Sequence, residues 1–218
     1  MGQALAQSVD AADDLELAGV WARGGSLSDV LADADVAVDF TLPEANTEVL
    51  NAVAEQGVPL VCGVSGLNDD QLAAMQAAAA RVPIVFDRNM SQGVTILNDV
   101  VGRVAAALGD EFSVEVHETH HVHKLDSPSG TALKLAESIA AAKGWDNTET
   151  KIKFEIERRG EVPGDHRVVL TSPTERISLE HSVTTRQVFV DGALRAARWI
   201  VGKPAGWYDM SDVLFADN

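Results

Sequence analysis

Cysteine is nearly absent from this chain. Cys62 stands alone among 218 residues, which excludes an internal disulfide and fits a reducing compartment. Long apolar runs are missing as well: none approaches the roughly 20 residues that a membrane span requires. The first residues lack the basic-then-apolar order of a secretion signal, so a cytoplasmic location is expected. Positive charge is scarce, with 17 Lys and Arg against 33 Asp and Glu and a net charge of −16. Nucleic acid and anionic membranes need a basic face, so neither is expected as a partner. What is plentiful is apolar content, 46% of residues, enough for a packed core and too much for a disordered chain.

The few basic residues are unevenly placed. Residues 1–100 hold 15 acids against Arg23, Arg81 and Arg88, whereas residues 151–218 hold ten acids and ten bases. An anionic ligand is therefore expected in the later half. Through the first 110 residues, short β-branched runs alternate with amphipathic ones. Strands are expected at Leu15–Trp21, Val36–Phe40, Val58–Cys62 and Pro83–Phe86, with helices at Gln3–Ala12, Glu44–Gln56 and Asp69–Arg81. Asn68 is placed to cap the last of these. Strand, helix, strand with short connections implies a parallel sheet of the dinucleotide-binding kind.

Beyond that point the rhythm changes. A helix is expected over Gly93–Leu108, a strand over Phe112–His120 and a helix over Thr131–Lys143 that ends at Gly144. Strands follow at Lys151–Glu157, Arg167–Thr171, Arg176–His181 and Arg186–Val190, then a helix at Ala193–Val201. The fold class is α/β: an N-terminal Rossmann-like parallel sheet plus an α+β domain with a mixed sheet. The expected boundaries are 1–91 plus 187–218 for the dinucleotide-binding domain and 92–186 for a substrate-binding and oligomerisation domain.

The chemistry concentrates in HETHHVHKLDSPSGTAL, residues 117–133, where four histidines and one lysine occupy eight positions. On a strand, His117 and Thr119 share one face and His120 takes the other. Three readings compete: an ordinary histidine-rich strand, a metal site, and a proton-transfer site that binds an anion. No companion Cys pair or helical HExxH supports a metal. The helix start at Ser129, Gly130 and Thr131 favours the third reading, because its amides and the helix dipole attract carboxylate or phosphate. Lys124 adds a point charge and a proton.

EVHETHHVHKLDSPSGTAL resembles the signature of the dihydrodipicolinate reductase family, E-x-H-H-x-x-K-x-D-x-P-S-G-T-A, and matches it at Glu118, His120, His121, Lys124, Asp126, Pro128, Ser129, Gly130, Thr131 and Ala132. DFTLPE at 39–44, CGVSGL at 62–67, NMSQGV at 89–94 and GALRAARWIVGKPAGWYDMSDVL at 192–214 extend the likeness along nearly the whole chain. The resemblance implies reduction of 4-hydroxy-tetrahydrodipicolinate by NADPH or NADH, in lysine and diaminopimelate biosynthesis, by a homotetramer. It implies His120 and Lys124 as catalytic groups, with the proton donor open between them. His121, Ser129, Gly130 and Thr131 would then bind the two substrate carboxylates. Arg23, Phe40, Thr41, Gly63, Val64, Ser65, Asn89, Met90 and Ser91 would meet the cofactor, and no metal is implied.

Two departures from the family stand out. Val64 and Ser65 replace the family's usual pair of threonines, which leaves Val64 only a backbone contact to offer. Met1-Gly2 resembles the last two residues of a G-R-M-G loop, so the first strand and most of the pyrophosphate cradle are expected to be missing, through a misread start codon or a true truncation. On that expectation the 218-residue chain binds dinucleotide poorly and tends to aggregate. The alternatives carried forward are a non-catalytic, oligomerising relative and a metal-dependent hydrolase.

Overall fold

The structure, a computed structural model, describes residues 1–22, 24–146 and 151–216. In chain order the elements begin with α1 (Gly2–Asp10), α2 (Leu27–Leu31), β1 (Ala37–Asp39), α3 (Pro43–Gln56), β2 (Leu60–Cys62), α4 (Asp69–Ala79) and β3 (Pro83–Phe86). They continue with α5 (Gln92–Ala107), β4 (Ser113–His120), α6 (Gly130–Lys143), β5 (Ile152–Arg158), β6 (Asp165–Thr171) and β7 (Arg176–His181). The last are α7 (Gln187–Ile200), β8 (Gly206–Tyr208) and α8 (Met210–Phe215). Two compact units result, one from Met1–Gln92 with the described residues from Gln187 onward, the other from Gly93–Arg186.

The first unit is a wholly parallel sheet of order β1-β2-β3-β8. β2 is buried at all three of its residues, as a central parallel strand covered on both faces must be, and it is accordingly continuous Leu-Val-Cys. The crossover helices are punctuated where the chemistry predicts. Pro43 opens α3 at a position whose N–H needs no partner. Gly57 closes it with φ +74°, in the left-handed region. Asn68 and Gln71 exchange side-chain and backbone hydrogen bonds in a capping box at the start of α4.

Two expected strands are corrected here. Leu15–Trp21 forms no strand. A strand exists only through a ladder to a neighbour, and among the described residues β1 ends the sheet with no partner on its outer side. The 15–21 segment instead lines a groove of about 880 Å³ with Leu5, Val36, Val38 and Leu194. Arg186–Val190 is not a strand either, because α7 begins at Gln187. Val190, Ala193, Leu194, Ala197 and Ile200 recur at helical spacing and all are buried, so periodicity overrides the β-branched residues at the start. Packing there is close: a Cβ on Gly192 would lie 1.7 Å from the Met90 carbonyl oxygen.

The second unit carries a mixed sheet of order β5-β4-β6-β7, with β4 parallel to β5 and antiparallel to β6. Its core joins Val114 and Val116 of β4 to Leu135 and Ile139 of α6 and to Val168 and Leu170 of β6. Burial alternates strictly along β4. That alternation continues the apolar face of Val114 and Val116 straight into two polar residues, Glu118 and His120.

Candidate active site

Glu118 and His120, 2% and 6% exposed, share the buried face of β4, while His117 and Thr119 take the other, as the two-residue period requires. The sheet registers bring in two further residues. Arg158 of β5 stands opposite His120, and His166 of β6 stands opposite Glu118. The His120 and His166 rings meet edge to face, with centroids 5.0 Å apart. Ser129 caps α6: its Oγ accepts from the Ala132 N–H at 3.1 Å and bonds His166 Nε2 at 3.2 Å. The Ser129 N–H donates to Glu118 Oε2 at 3.0 Å.

This last bond changes one expectation. Ser129 spends its amide and its hydroxyl inside the protein, so of the helix-start residues only Gly130 and Thr131 lie in the first turn of α6, where amides have no helical carbonyl to reach. Lys124 sits in the turn between β4 and α6, and its Nζ pairs with Asp126 Oδ1 at 2.8 Å. His121 follows β4, with Nε2 3.4 Å from Arg186 Nη2 and Nδ1 buried without a hydrogen-bond partner among the described residues. His117 pairs with Glu115 on the far face and His123 with Glu161 at the surface. The histidine cluster is thus divided: His120 meets the α6 start through Glu118, His121 lies beside Arg186, and His117 and His123 pair with Glu115 and Glu161.

Burial sets the protonation of the two inner imidazoles. It pulls His120 down to about 4, against the Glu118 carboxylate, with the Lys124 and Arg158 cations adding to the fall. Burial likewise takes His166 down to about 3. Both rings are neutral at pH 7. Burial raises the Asp126 carboxyl, but the Lys124 ammonium outweighs it and the net movement is downward. Donor atoms of Glu118, His120 and His166 lie within 4.8 Å of one another. Arg158 and the Ser129 amide already engage the Glu118 oxygens, and Ser129 engages His166. With two cations adjacent, the arrangement fits an anion and a proton better than a metal.

Sequence reasoning gave no role to Glu118, Arg158 or His166. Glu118 was within reach, being two residues from His120 on one face. Arg158 and His166 become neighbours only through strand register, which the local pattern does not encode.

In the first unit the remaining candidates gather at the carboxyl ends of β1, β2 and β3, where open parallel sheets bind ligands. The Thr41 N–H donates to Asp39 Oδ1 at 2.8 Å, and the Gly63 N–H to the Asp39 carbonyl at 2.9 Å. A Cβ on Gly63 would lie 2.4 Å from Phe40 Cε1, so only glycine permits this contact. Ser65 is exposed, whereas Val64 and Met90, each 1% exposed, pack into the core and leave only backbone for a ligand. Asn89 Oδ1 accepts from the Ser91 N–H at 2.9 Å. Arg23 lies outside the described residues. Asp39 Oδ2 is buried with no hydrogen-bond partner among the described residues, and burial raises its carboxyl. An orphaned acceptor at this edge fits a ligand donor such as the amide or ribose of a dinucleotide.

A parallel sheet with loops at its carboxyl edge, together with a separate mixed-sheet unit with a buried Glu118–Arg158 pair and two histidines, is the two-unit architecture of a dinucleotide-dependent reductase. Residues 1–90 match "Dihydrodipicolinate reductase, N-terminus" and residues 93–214 match "Dihydrodipicolinate reductase, C-terminus", so the chain belongs to the dihydrodipicolinate reductase family. It is 37% identical to the 4-hydroxy-tetrahydrodipicolinate reductase of Pseudoalteromonas translucida over 98% of this chain and 94% of that one. With the enzyme of the same name from Alkalilimnicola ehrlichii it shares 42% identity over 93% of this chain and 83% of the other. Its fold superimposes with TM-score 0.77 on a dipicolinate-bound dihydrodipicolinate reductase from Paenisporosarcina sp. TG-14, at 21% identity over 98% of this chain and 95% of that one. The chain is accordingly an NAD(P)H-dependent oxidoreductase that reduces 4-hydroxy-tetrahydrodipicolinate in lysine and diaminopimelate biosynthesis. No helix among the described residues is long and apolar enough to cross a membrane.

Proposed function

We propose that the Lys124 ammonium donates the proton that completes reduction and that neutral His120 orients the substrate beside it. The observation that carries this is the coupling of His120, the Lys124 turn and the α6 start through one buried carboxylate, Glu118. A proton donor must carry its proton at working pH, and burial denies one to His120. Gly130 and Thr131 present helix-start amides to one substrate carboxylate. His121 and the hydroxyl of Thr131 add hydrogen-bonding capacity, and Lys124 adds charge.

NADPH or NADH supplies the hydride when bound. Phe40, Thr41, Gly63, the Val64 backbone, Ser65, Asn89, the Met90 backbone and Ser91 hold its nicotinamide end in this reading. Arg23 donates to the 2′-phosphate of NADPH, and no carboxylate at Trp21–Gly24 repels it, which tilts the preference toward NADPH. The working assembly is a cytoplasmic homotetramer. Lys124→Ala tests the assignment: kcat falls by about 10²–10⁴, while the melting temperature barely moves, since a partly exposed ion pair contributes little. A wild-type rate in that variant refutes it. Dipicolinate, bound by the Paenisporosarcina enzyme, is the appropriate dianionic probe for the site.

A further inference from the structure

We infer that Arg158, anchored by Glu118, is a positioning residue that holds the 121–129 turn, and with it Lys124 and the start of α6, in the geometry that grips substrate. This deepens the reading above and rests on it. The Arg158 guanidinium reaches four acceptors from three segments. Nη1 donates to Glu118 Oε1 and to the Glu157 carbonyl, each at 3.1 Å; Nη2 donates to the Asp126 carbonyl at 2.6 Å; Nε donates to the Lys124 carbonyl at 3.4 Å. Glu118 completes the strut on its other oxygen, which accepts from the Ser129 N–H at 3.0 Å and lies 3.8 Å from His120 Nδ1. Its side chain is 0% exposed and that of Arg158 is 22% exposed.

The two ends of the 121–129 turn are therefore tied to the same buried ion pair. Lys124 and Asp126 are held through their backbone carbonyls, and Ser129 through its amide. Arg158 contacts Lys124 by its carbonyl and leaves the ammonium to its partner Asp126, so its work is placement rather than charge transfer. A planar fork can satisfy several carbonyls in fixed directions at once, which an ammonium on a flexible stem cannot do. The strut also lies opposite His120 in the β4–β5 register, so slack in it is felt at the catalytic imidazole and at the turn together.

The test uses the full chain with Arg158→Ala, Arg158→Lys and the double variant Glu118→Gln/Arg158→Ala, in which no unpaired charge is left buried. Amide exchange in the 121–129 turn is expected to quicken at least tenfold in all three, while β6 and β7 exchange as before; turn amides that exchange at the wild-type rate overturn the proposal whether or not the enzyme turns over. In steady state, KM for the dicarboxylate substrate rises and kcat falls, with kcat/KM down by about tenfold to a hundredfold. KM for NADPH stays fixed. Free guanidinium added to Arg158→Ala restores part of the rate, and Arg158→Lys remains impaired. Wild-type kcat and KM in Arg158→Ala, or full recovery by lysine, contradicts the assignment. An inactive wild-type chain would count against the reductase reading alone, because the exchange measurement needs no turnover.

Discussion

Replacing Ser129 by alanine removes two buried hydrogen bonds and leaves a third intact. The lost pair are the cap from Oγ to the Ala132 N–H and the bond to His166 Nε2; the Ser129 amide keeps its bond to Glu118. Loss of an N-cap side chain costs about 1 kcal/mol. His166 is 2% exposed, so its orphaned ring nitrogen adds roughly 1–3 kcal/mol. The sum, about 2–4 kcal/mol, falls on the second unit, and amide exchange in α6 reads it directly. Rates there should rise about 30-fold to nearly a thousandfold, at roughly tenfold per 1.4 kcal/mol. Ser26→Ala is the control, because Ser26 caps the short exposed helix α2 in the other unit. A loss in Ser129→Ala no larger than the roughly 1 kcal/mol expected of an ordinary cap refutes the claim that this serine links α6 to His166.

Other consequences follow from the same geometry. His120 and His166 titrate lower in the folded state than the ordinary 6.5, so the unfolded chain takes up more protons as the pH drops. Stability is therefore complete above about pH 6.5 and is lost as the pH falls toward 4 and below, with His166 alone withdrawing about 3 kcal/mol by pH 4. An unchanged melting temperature between pH 7 and pH 4 contradicts this. Gly192→Ala forces a Cβ against the Met90 carbonyl and costs about 3 kcal/mol or more by denaturant unfolding. Gly2→Ala, which meets nothing within 4 Å, is neutral or mildly stabilising. Chelators leave the rate unchanged, since Arg158 and the Ser129 amide occupy the Glu118 oxygens and Ser129 Oγ occupies His166 Nε2; inhibition by a chelator would reopen the metal reading.

What could be read in advance was whatever local chemistry decides. Pro83–Phe86 is a strand with the expected bounds, because a short apolar run between turns has few other fates. The caps at Asn68 and Gly144 stand where their side-chain and backbone preferences put them. The two-residue alternation of β4 by itself sets His120 on the face opposite His117. The misreadings occur where a neighbour decides. Leu15–Trp21 has strand composition but no ladder to join, and Gln187–Val190 has β-branched residues on a helical stripe. β8 escaped notice because three residues, Gly206–Tyr208, carry no periodicity and are strand only by pairing with β3. Arg158 and His166 reach the site by register alone, and from the sequence they look like any other surface arginine and strand histidine.

The central claim is that residues 120–131 form one cationic nest for a small diacid. Calorimetric titration of dipicolinate into the wild-type chain and into Lys124→Ala and Thr131→Ala tests it most directly. One molecule should bind per chain, more weakly at higher salt and at least tenfold more weakly in each variant, as loss of a charge-assisted contact requires. Equal affinity in all three proteins would show that the diacid binds elsewhere and would contradict the account.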